Sequence, residues 1–493
     1  MSTEQTPVII NADALNTPEL PIAESNCACP DYAEANNRQS IHPEPALRYQ
    51  TPTLHTAPLA DHYFLAFNPV GRRGVTVLNR PAATLLQAFQ NPLPLAEGVR
   101  RAGNPPQGMA AAARLVEVDL LQSPEQPTPA RILSPDTLTA WVHVTNDCNL
   151  RCHYCYVDKT PDKMAVETGK AAIAAVFRSA IMHNFGRVKL KYAGGEATLN
   201  FPLVVELQRY AQTLALQHNL GLEGVVLSNG VSIGRRTIQT LAELDLRLMI
   251  SLDGISEDHD RQRPLLNGSG SFQHVARTLD RLATYAIKPA ISITVSQRNL
   301  AGLPRVVEDV LQREMPFTLN FYRENDCSSS FTDLAYDEDE MIAAIRAAFA
   351  VIEANLPPYK LLDRLVDLAQ FSAPHQHTCG VGHAYMVIDQ RGGIAKCHME
   401  IERTVTDIYA ADPLQLIRAD QIGIQNLPVE EKEGCRECTW RYWCAGGCPA
   451  LTYRFTKRFD IKSPNCRIYK AIYPDLLRLE AKRLLKYGLA KTM

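Results

Sequence analysis

The sequence predicts an α/β protein: a partial (β/α)6 TIM-like barrel, preceded by a small winged-helix-like α+β domain and followed by a cysteine-rich domain. Three observations carry this. Apolar runs at 138–145, 188–193, 224–228, 247–252, 289–295 and 317–322 alternate with amphipathic helical patterns near 167–183, 201–218, 234–244, 272–286 and 301–313, the rhythm of a parallel sheet. Ahead of them, two short apolar stretches (His62–Phe67 and Gly74–Leu78) flank a glycine-containing turn and run into helical spacing at Arg80–Gln90, a hairpin followed by a helix. Behind them, cysteines crowd a region of little periodicity.

Element by element, residues 1–45 lack periodicity and are expected to be a disordered tail. Residues 46–125 form the winged-helix-like domain, and a proline-rich linker at 123–136 leads to the barrel at 137–335. A helical connection follows at 336–373, then the cysteine-rich domain at 374–470 and a C-terminal helix at 471–493. A chain of 493 residues suits such a multidomain plan.

Composition narrows the function. A formal net charge of -2 provides no global basic field, so no nucleic-acid partner is expected. The opening MSTEQTPVIINADALN lacks a basic stretch followed by an apolar core, and no apolar run reaches membrane-spanning length. A cytoplasmic protein with reduced thiols and no membrane association is therefore expected. Its thirteen cysteines cluster tightly, and clustered thiols in a reducing compartment read as metal sites.

Cys148, Cys152 and Cys155 follow the first barrel strand in VTNDCNLRCHYCYV. Three thiolates at spacings of x3 and x2 suit a loop wrapped around one face of an iron–sulfur cube, with one iron left open. A structural zinc site is the alternative, with His153 as its only nearby fourth ligand.

The segment CNLRCHYC resembles the CxxxCxxC signature of the radical S-adenosylmethionine (SAM) superfamily, with the aromatic Tyr154 before the third cysteine. Further segments after successive strands resemble that superfamily. Gly194, Gly195 and Glu196 resemble the loop that receives the cofactor's amino group, although Ala197 stands where the family usually has proline. Ser228 and Asn229 resemble the segment contacting ribose and carboxylate, and Ser251 and Asp253 another conventional family stretch. The resemblance implies a [4Fe-4S] cluster that binds SAM, and a 5′-deoxyadenosyl radical that abstracts hydrogen from substrate.

The later cysteines resemble the SPASM extension of radical enzymes acting on peptides and proteins. That resemblance implies two auxiliary [4Fe-4S] clusters, three clusters in all. Cys379, Cys397 and Cys448 would bind the first, and Cys435, Cys438, Cys444 and Cys466 the second. One ligand of the first is then missing; Cys327, His383, His398 or the substrate would supply it. Zinc knuckles are the alternative. Cys27 and Cys29 read as an incidental pair in the tail.

The N-terminal segment resembles the precursor-recognition domains of peptide-modifying enzymes, which add a peptide strand to a sheet edge. The expected function is a peptide maturase forming a thioether or C–C cross-link, with a precursor peptide and a flavodoxin- or ferredoxin-type reductant as partners. Formylglycine formation of the sulfatase-maturase type is the rival. That family has an Asp base directly after the second auxiliary cysteine, where this chain has His398, so His398 and Cys327 are the candidate catalytic residues. A non-catalytic multi-cluster electron carrier is the third alternative.

Overall fold

The computed structural model describes residues 5–12, 43–44, 46–60, 62–126, 135–362, 365–371 and 373–492. Its N-terminal part is a four-stranded antiparallel sheet, ordered β1-β4-β3-β2, made of β1 (Ile9–Asn11), β2 (His55–Pro58), β3 (Tyr63–Phe67) and β4 (Thr76–Asn79). Strands β3 and β4 read as continuous apolar runs because both their faces are covered. Ala66 and Leu78 pack against three helices, α1 (Arg80–Gln87), α2 (Leu95–Arg101) and α3 (Gly108–Glu117). Leu65, Phe67 and Val77 face the other way. Asn79 caps α1 by accepting the Ala82 N–H at 3.1 Å, and Pro81 sits in the first turn, where its missing N–H costs nothing.

The expected hairpin and first helix are present. The expected tail is corrected at Ile9–Asn11, which pairs with β4. Strands of three or four residues, such as Ile-Ile-Asn and His-Thr-Ala-Pro, are too short to carry a period of their own. Cys27 and Cys29 lie outside the described residues.

The main sheet begins with six parallel strands: β5 (Thr137–His143), β6 (Arg187–Ala193), β7 (Gly221–Ser228), β8 (Leu246–Ser251), β9 (Ala290–Val295) and β10 (Phe317–Phe321). Five helices alternate with them: α4 (Val166–Met182), α5 (Phe201–His218), α6 (Arg235–Glu243), α7 (Phe272–Thr284) and α8 (Leu303–Gln312). Along each strand, alternate residues point to opposite faces. Leu138, Ala140, Val142, Val188, Leu190 and Tyr192 pack under the helices in one large core. Trp141, Ala193, Val225, Leu227 and Met249 belong to separate clusters on the inner face.

The sheet does not stop at six strands. β11 (Tyr385–Ile388) pairs in parallel with β5, and β12 (Gly393–Ala395) and β13 (Thr404–Asp407) continue antiparallel. The order is β10-β9-β8-β7-β6-β5-β11-β12-β13, an unclosed sheet of nine strands. The six parallel strands agree with the expected partial barrel, whereas part of the cysteine-rich unit, expected to be poorly periodic, extends the same sheet.

Two long helices, α9 (Glu338–Ala354) and α10 (Cys466–Thr492), pack together. Helix α10 buries the Glu480–Arg483 pair, each about 1% exposed. Glu480 also accepts the Leu361 N–H and Arg483 donates to the Pro358 carbonyl, so these buried charges are satisfied. Among the described residues no helix is long and apolar enough to cross a membrane.

The N-terminal sheet joins the same core. Phe67 lies 4.9 Å from the Trp443 ring and 6.0 Å from Phe371, centroid to centroid, and the Trp443 indole N–H donates to the Pro69 carbonyl at 2.7 Å. Truncating Phe67 leaves a cavity shared by both parts of the chain. Phe67→Ala is expected to cost about 3–5 kcal/mol, read as a shift of the unfolding transition of the whole chain in denaturant. A loss confined to signals from residues 46–126 would contradict the shared core.

Candidate active site

The loop after β5 is docked on the segment after β8. The Arg151 N–H donates to the Pro264 carbonyl at 2.8 Å, that of His153 to the Gln262 carbonyl at 3.0 Å, and Leu150 bridges Leu265. Cys148, Cys152 and Cys155 are all free thiols. Burial raises the Cys148 thiol and pushes that of Cys152 up to about 12, against the opposing pull of Lys159 and Arg263. The Lys159 ammonium lies 2.8 Å from Cys155 Sγ. A thiol becomes a ligand only as a thiolate, so loading this loop releases protons, and Lys159 and Arg263 offset the charge that remains.

The donor set fits an iron–sulfur cluster. Among the described residues no three His, Cys, Asp or Glu side chains converge closely enough to hold a single ion. His153 is turned away, stacked on Phe331 at 4.4 Å with Nδ1 engaged by Arg298, which removes the fourth ligand of the zinc alternative.

The glycine loop has a second reason for its glycines. A Cβ on Gly194 would stand 2.4 Å from the Thr145 carbonyl oxygen, and one on Gly195 would stand 2.4 Å from that of Asp147. These glycines therefore let the loop lie against the cysteine segment, tied by Gly195 N–H to Thr145 O at 2.7 Å and Glu196 N–H to Asp147 O at 2.9 Å. Buried Glu196 accepts from Thr198 N–H (3.0 Å), Thr198 Oγ1 (2.6 Å), Ser228 Oγ (2.8 Å) and Asn229 N–H (2.6 Å). Three of these contacts fall on Oε1, leaving acceptor capacity on Oε2. Asn229 donates to Asn149 Oδ1 at 2.7 Å and approaches Cys148 Sγ at 3.8 Å. Gly194–Glu196, Ser228–Asn229 and the cysteine loop are thus brought into one hydrogen-bonded unit.

Asp253 is spent inside the protein. Its carboxylate, fully buried, accepts from the Tyr154 hydroxyl at 2.6 Å and the Thr294 N–H at 2.9 Å, and lies 3.7 Å from Arg263. Arg263 also donates to the Tyr154 hydroxyl. Burial raises the Asp253 carboxyl, countered by Arg263, and lifts the Tyr154 hydroxyl well above its ordinary value. The Tyr154 hydroxyl and Asp253 carboxylate therefore orient the cysteine loop, while Ser251 sits in the β8–β9 ladder opposite Ser292.

Four of the later cysteines, Cys435, Cys438, Cys444 and Cys466, line one pocket, walled by Trp440, Tyr469 and Tyr473. Cys379 and Cys397 share an inner-face cluster with Trp141 and Tyr385, against which Ala450 packs. Lys432 lies among Cys379, Cys435, Cys444 and Cys448; burial lowers its pKa, and these thiols only partly offset that. It donates to the Ala445 carbonyl at 2.8 Å, and Thr378 Oγ1 donates to the same oxygen at 2.7 Å.

The two candidate catalytic residues, His398 and Cys327, lie in different surroundings. His398 is buried and stacked on Trp141 at 4.8 Å, with Nδ1 facing the Tyr385 hydroxyl at 3.2 Å. Burial, with Arg323 and Lys191, lowers its pKa to about 3, so it is a neutral, weakly basic imidazole. Cys327 is exposed and neighbours Cys155, Asp158 and Lys159; desolvation and the negative charges of Cys155 and Asp158 raise its thiol, against the opposing pull of Lys159. It sits beside the first cysteine loop. His383 is closer to Cys379: its Nε2 faces the Asn426 carbonyl at 3.2 Å, and Asn426 Nδ2 donates to the Cys379 carbonyl at 2.7 Å. The residues that sequence reasoning missed are Lys159, Lys432 and Trp141. A lysine four positions after Cys155 was the one available signal.

Residues 142–309 match the family model of the Radical SAM superfamily. They are a radical SAM domain. Among curated relatives, an uncharacterised protein of Methanocaldococcus jannaschii is 31% identical over 166 residues, 34% of this chain and 55% of that protein. The sporulation killing factor maturation protein SkfB of Bacillus subtilis is 24% identical over 175 residues, 35% of this chain and 39% of SkfB. A serine-type anaerobic sulfatase-maturating enzyme of Klebsiella aerogenes is 27% identical over 374 residues, 69% of this chain and 84% of that enzyme. The chain spans about half the length of the first of these relatives. In fold it is similar to anSMEcpe with bound AdoMet and Cp18Cys peptide (TM-score 0.57, 18% identity, 72% of this chain, 99% of the other). It is also similar to Streptococcus suis SuiB bound to precursor peptide SuiA (TM-score 0.50, 14% identity, 83% of this chain, 99% of the other).

Removing the Asp253 carboxylate leaves Arg263 buried with a lost partner. Asp253→Ala is expected to destabilise the radical SAM domain by about 3–5 kcal/mol, measured by chemical denaturation. A change below roughly 1 kcal/mol, within the range of exposed pairs, would contradict the role given to this network.

Proposed function

We propose that this protein is a radical SAM enzyme that modifies a side chain of a ribosomally made peptide, forming a thioether or C–C cross-link. The observation that carries the reading is the hydrogen-bonded unit formed by the cysteine loop, Gly194–Glu196 and Ser228–Asn229 at the ends of β5, β6 and β7. A [4Fe-4S] cluster with SAM bound there would supply hydrogen-atom abstraction from substrate by a 5′-deoxyadenosyl radical. Cys148, Cys152 and Cys155 would hold the cluster, and Lys159 and Arg263 would offset the charge of the thiolates. Glu196 holds Ser228 and Asn229 in place and would receive the amino group of SAM. Trp141, His398 and Tyr385 form an aromatic wall on the inner face that excludes water from a reactive species.

Two auxiliary clusters complete the proposal, one on Cys435, Cys438, Cys444 and Cys466, the other on Cys379, Cys397 and Cys448. His383 or the substrate completes the set of Cys379, Cys397 and Cys448. A flavodoxin- or ferredoxin-type protein is the proposed reductant. The peptide reading is supported by the fold likeness to SuiB, which extends over 83% of this chain, and by the sequence match to SkfB. Formylglycine formation is the second reading, favoured by the long match to the Klebsiella enzyme. The neutral, stacked His398 is a poor substitute for a carboxylate base, so this reading stands second.

After anaerobic reconstitution with iron and sulfide and reduction by dithionite, the chain is expected to convert SAM to 5′-deoxyadenosine. The triple variant Cys148→Ala, Cys152→Ala, Cys155→Ala is expected to lose that activity while keeping iron bound by the later cysteines. Iron falling to background in the variant would end the division into separate clusters. No 5′-deoxyadenosine from a fully loaded, reduced wild-type chain would end the enzyme reading. Co-expression with a small open reading frame adjacent to the gene is expected to lower the mass of the encoded peptide by one hydrogen pair per linkage. Oxidation of a cysteine or serine in a sulfatase-type peptide, with no change in the co-expressed one, would favour the second reading.

A further inference from the structure

Lys159 is held against the first cysteine loop by a strap that lies outside the cysteine signature. After Cys155 the chain turns back along the end of β5. The Met164 N–H donates to the Val144 carbonyl at 3.0 Å, and Thr145 forms an antiparallel bridge with Lys163. The Asn146 N–H and Thr145 Oγ1 both donate to the Asp162 carbonyl, at 2.9 and 3.1 Å, and Asn146 Nδ2 donates to Thr160 Oγ1 at 3.2 Å. Behind Asn146 the fully buried His143 ring meets Asn146 Oδ1 through Nε2 at 2.7 Å, which orients the amide. The backbone just past Lys159 is therefore fixed, and its ammonium is delivered to Cys155 Sγ at 2.8 Å.

That ammonium is left to the thiols. Asp147 and Asp162, acids of the same two segments, are engaged by Lys163 at 3.9 Å and Arg391 at 2.9 Å. Among the described residues no carboxylate pairs with Lys159. Burial disfavours its charge, yet Cys155, Cys148 and Cys152 outweigh that and raise its pKa, so it stays an ammonium. Arg263 also acts on Cys152, but its guanidinium is shared with Asp253 and Tyr154. Lys159 thus brings an unshared positive charge to the loop, at a position set by the fold.

Reducing a cluster held by three thiolates adds negative charge where negative charge is already concentrated. A fixed ammonium in contact with a thiolate favours the reduced form over the oxidised one, because net charge and hydrogen bonds to sulfur set cluster potentials. In a half-buried position salt screens that attraction less than at the surface. We propose that Lys159 sets the reduction potential of the cluster on Cys148, Cys152 and Cys155, raising it toward the reach of the reductant. One electron enters from the reductant; no bond breaks, and the ammonium keeps its proton throughout. The proposal rests on the cluster of the radical SAM reading and on no choice of substrate.

The test uses the full chain, reconstituted anaerobically with iron and sulfide and titrated with dithionite. It reads the midpoint potential of the electron paramagnetic resonance signal that is absent from the variant Cys148→Ala, Cys152→Ala, Cys155→Ala. Lys159→Met is expected to make reduction at least tenfold less favourable, a fall of at least about 59 mV for a one-electron couple. Lys159→Arg, which keeps the charge, is expected to stay within about threefold of wild type, and both variants are expected to keep the wild-type iron content. A Lys159→Met midpoint within that threefold range would overturn the proposal. So would an equal fall in Lys159→Arg, which would trace the effect to packing. If Lys159→Met does not load the loop, Lys159→Gln replaces it, keeping a donor for Sγ without the charge. Loss of this signal from both neutral variants would overturn the proposal in favour of a role in cluster assembly. A tenfold shift in a chain that forms no 5′-deoxyadenosine would keep the tuning role and remove the enzyme reading.

Discussion

The pairing of β11 with β5 is the constraint on which the arrangement of cysteines depends. β5 is buried along all seven residues and β11 along all four. An unpaired β5 edge would leave buried backbone donors and acceptors without partners, a cost paid in every conformation that lacks β11. Cys379 lies just before β11 and Cys397 just after β12, while Cys148 lies just beyond β5. Register between two strands therefore fixes the later cysteines against the first loop. The stack of His398 on Trp141 adds a side-chain contact across the same junction.

A second tie joins the two groups of later cysteines to each other. The Ala445 carbonyl receives hydrogen bonds from Lys432 and from Thr378, the residue before Cys379, and Ala445 itself follows Cys444. Burying an ammonium is unfavourable unless it is hydrogen-bonded and near negative charge. Thiolates from both groups would provide that charge, which gives Lys432 a reason to lie between them. The glycines after Ala445 follow from this packing. Gly446 has φ +88°, and a Cβ there would fall 2.6 Å from Lys432 Cδ; Gly447 has φ +73° and would meet Ser463 at 2.6 Å. Cys444 and Cys448 are thus separated by a turn that only small residues and positive φ allow.

Legibility in the sequence followed element length and the kind of evidence each residue carries. The six parallel strands and five helices lay within a few residues of their expected bounds, because runs such as Val188–Ala193 and helices such as Phe201–His218 contain enough residues to show a period. β1, β2 and β11–β13 were illegible: strands of three or four residues in loop-rich sequence have no pattern to read. The grouping of Cys435, Cys438, Cys444 and Cys466 came from the family resemblance, and these four line one pocket. Side-chain roles were less legible. Motif position pointed to Asp253 and His398, yet one carboxylate is consumed by Tyr154 and Arg263, and one imidazole is desolvated on Trp141. Only packing reveals such commitments. The same holds for Gly194 and Gly195, whose close neighbours are the chain's own carbonyls.

The N-terminal sheet changes the meaning of a recognition domain here. Read from sequence, residues 46–125 are a module joined by a proline-rich linker. In the structure Phe67, Leu65 and Val77 enter the core that also contains Trp440, Trp443, Phe371 and Tyr473. Cys444 follows Trp443 directly, and Tyr473 lines the cavity of Cys444 and Cys466. Interiors packed at this density transmit displacement and do not absorb it. The edge of β4 that pairs with β1 is consequently part of the same packed body as the later cysteines.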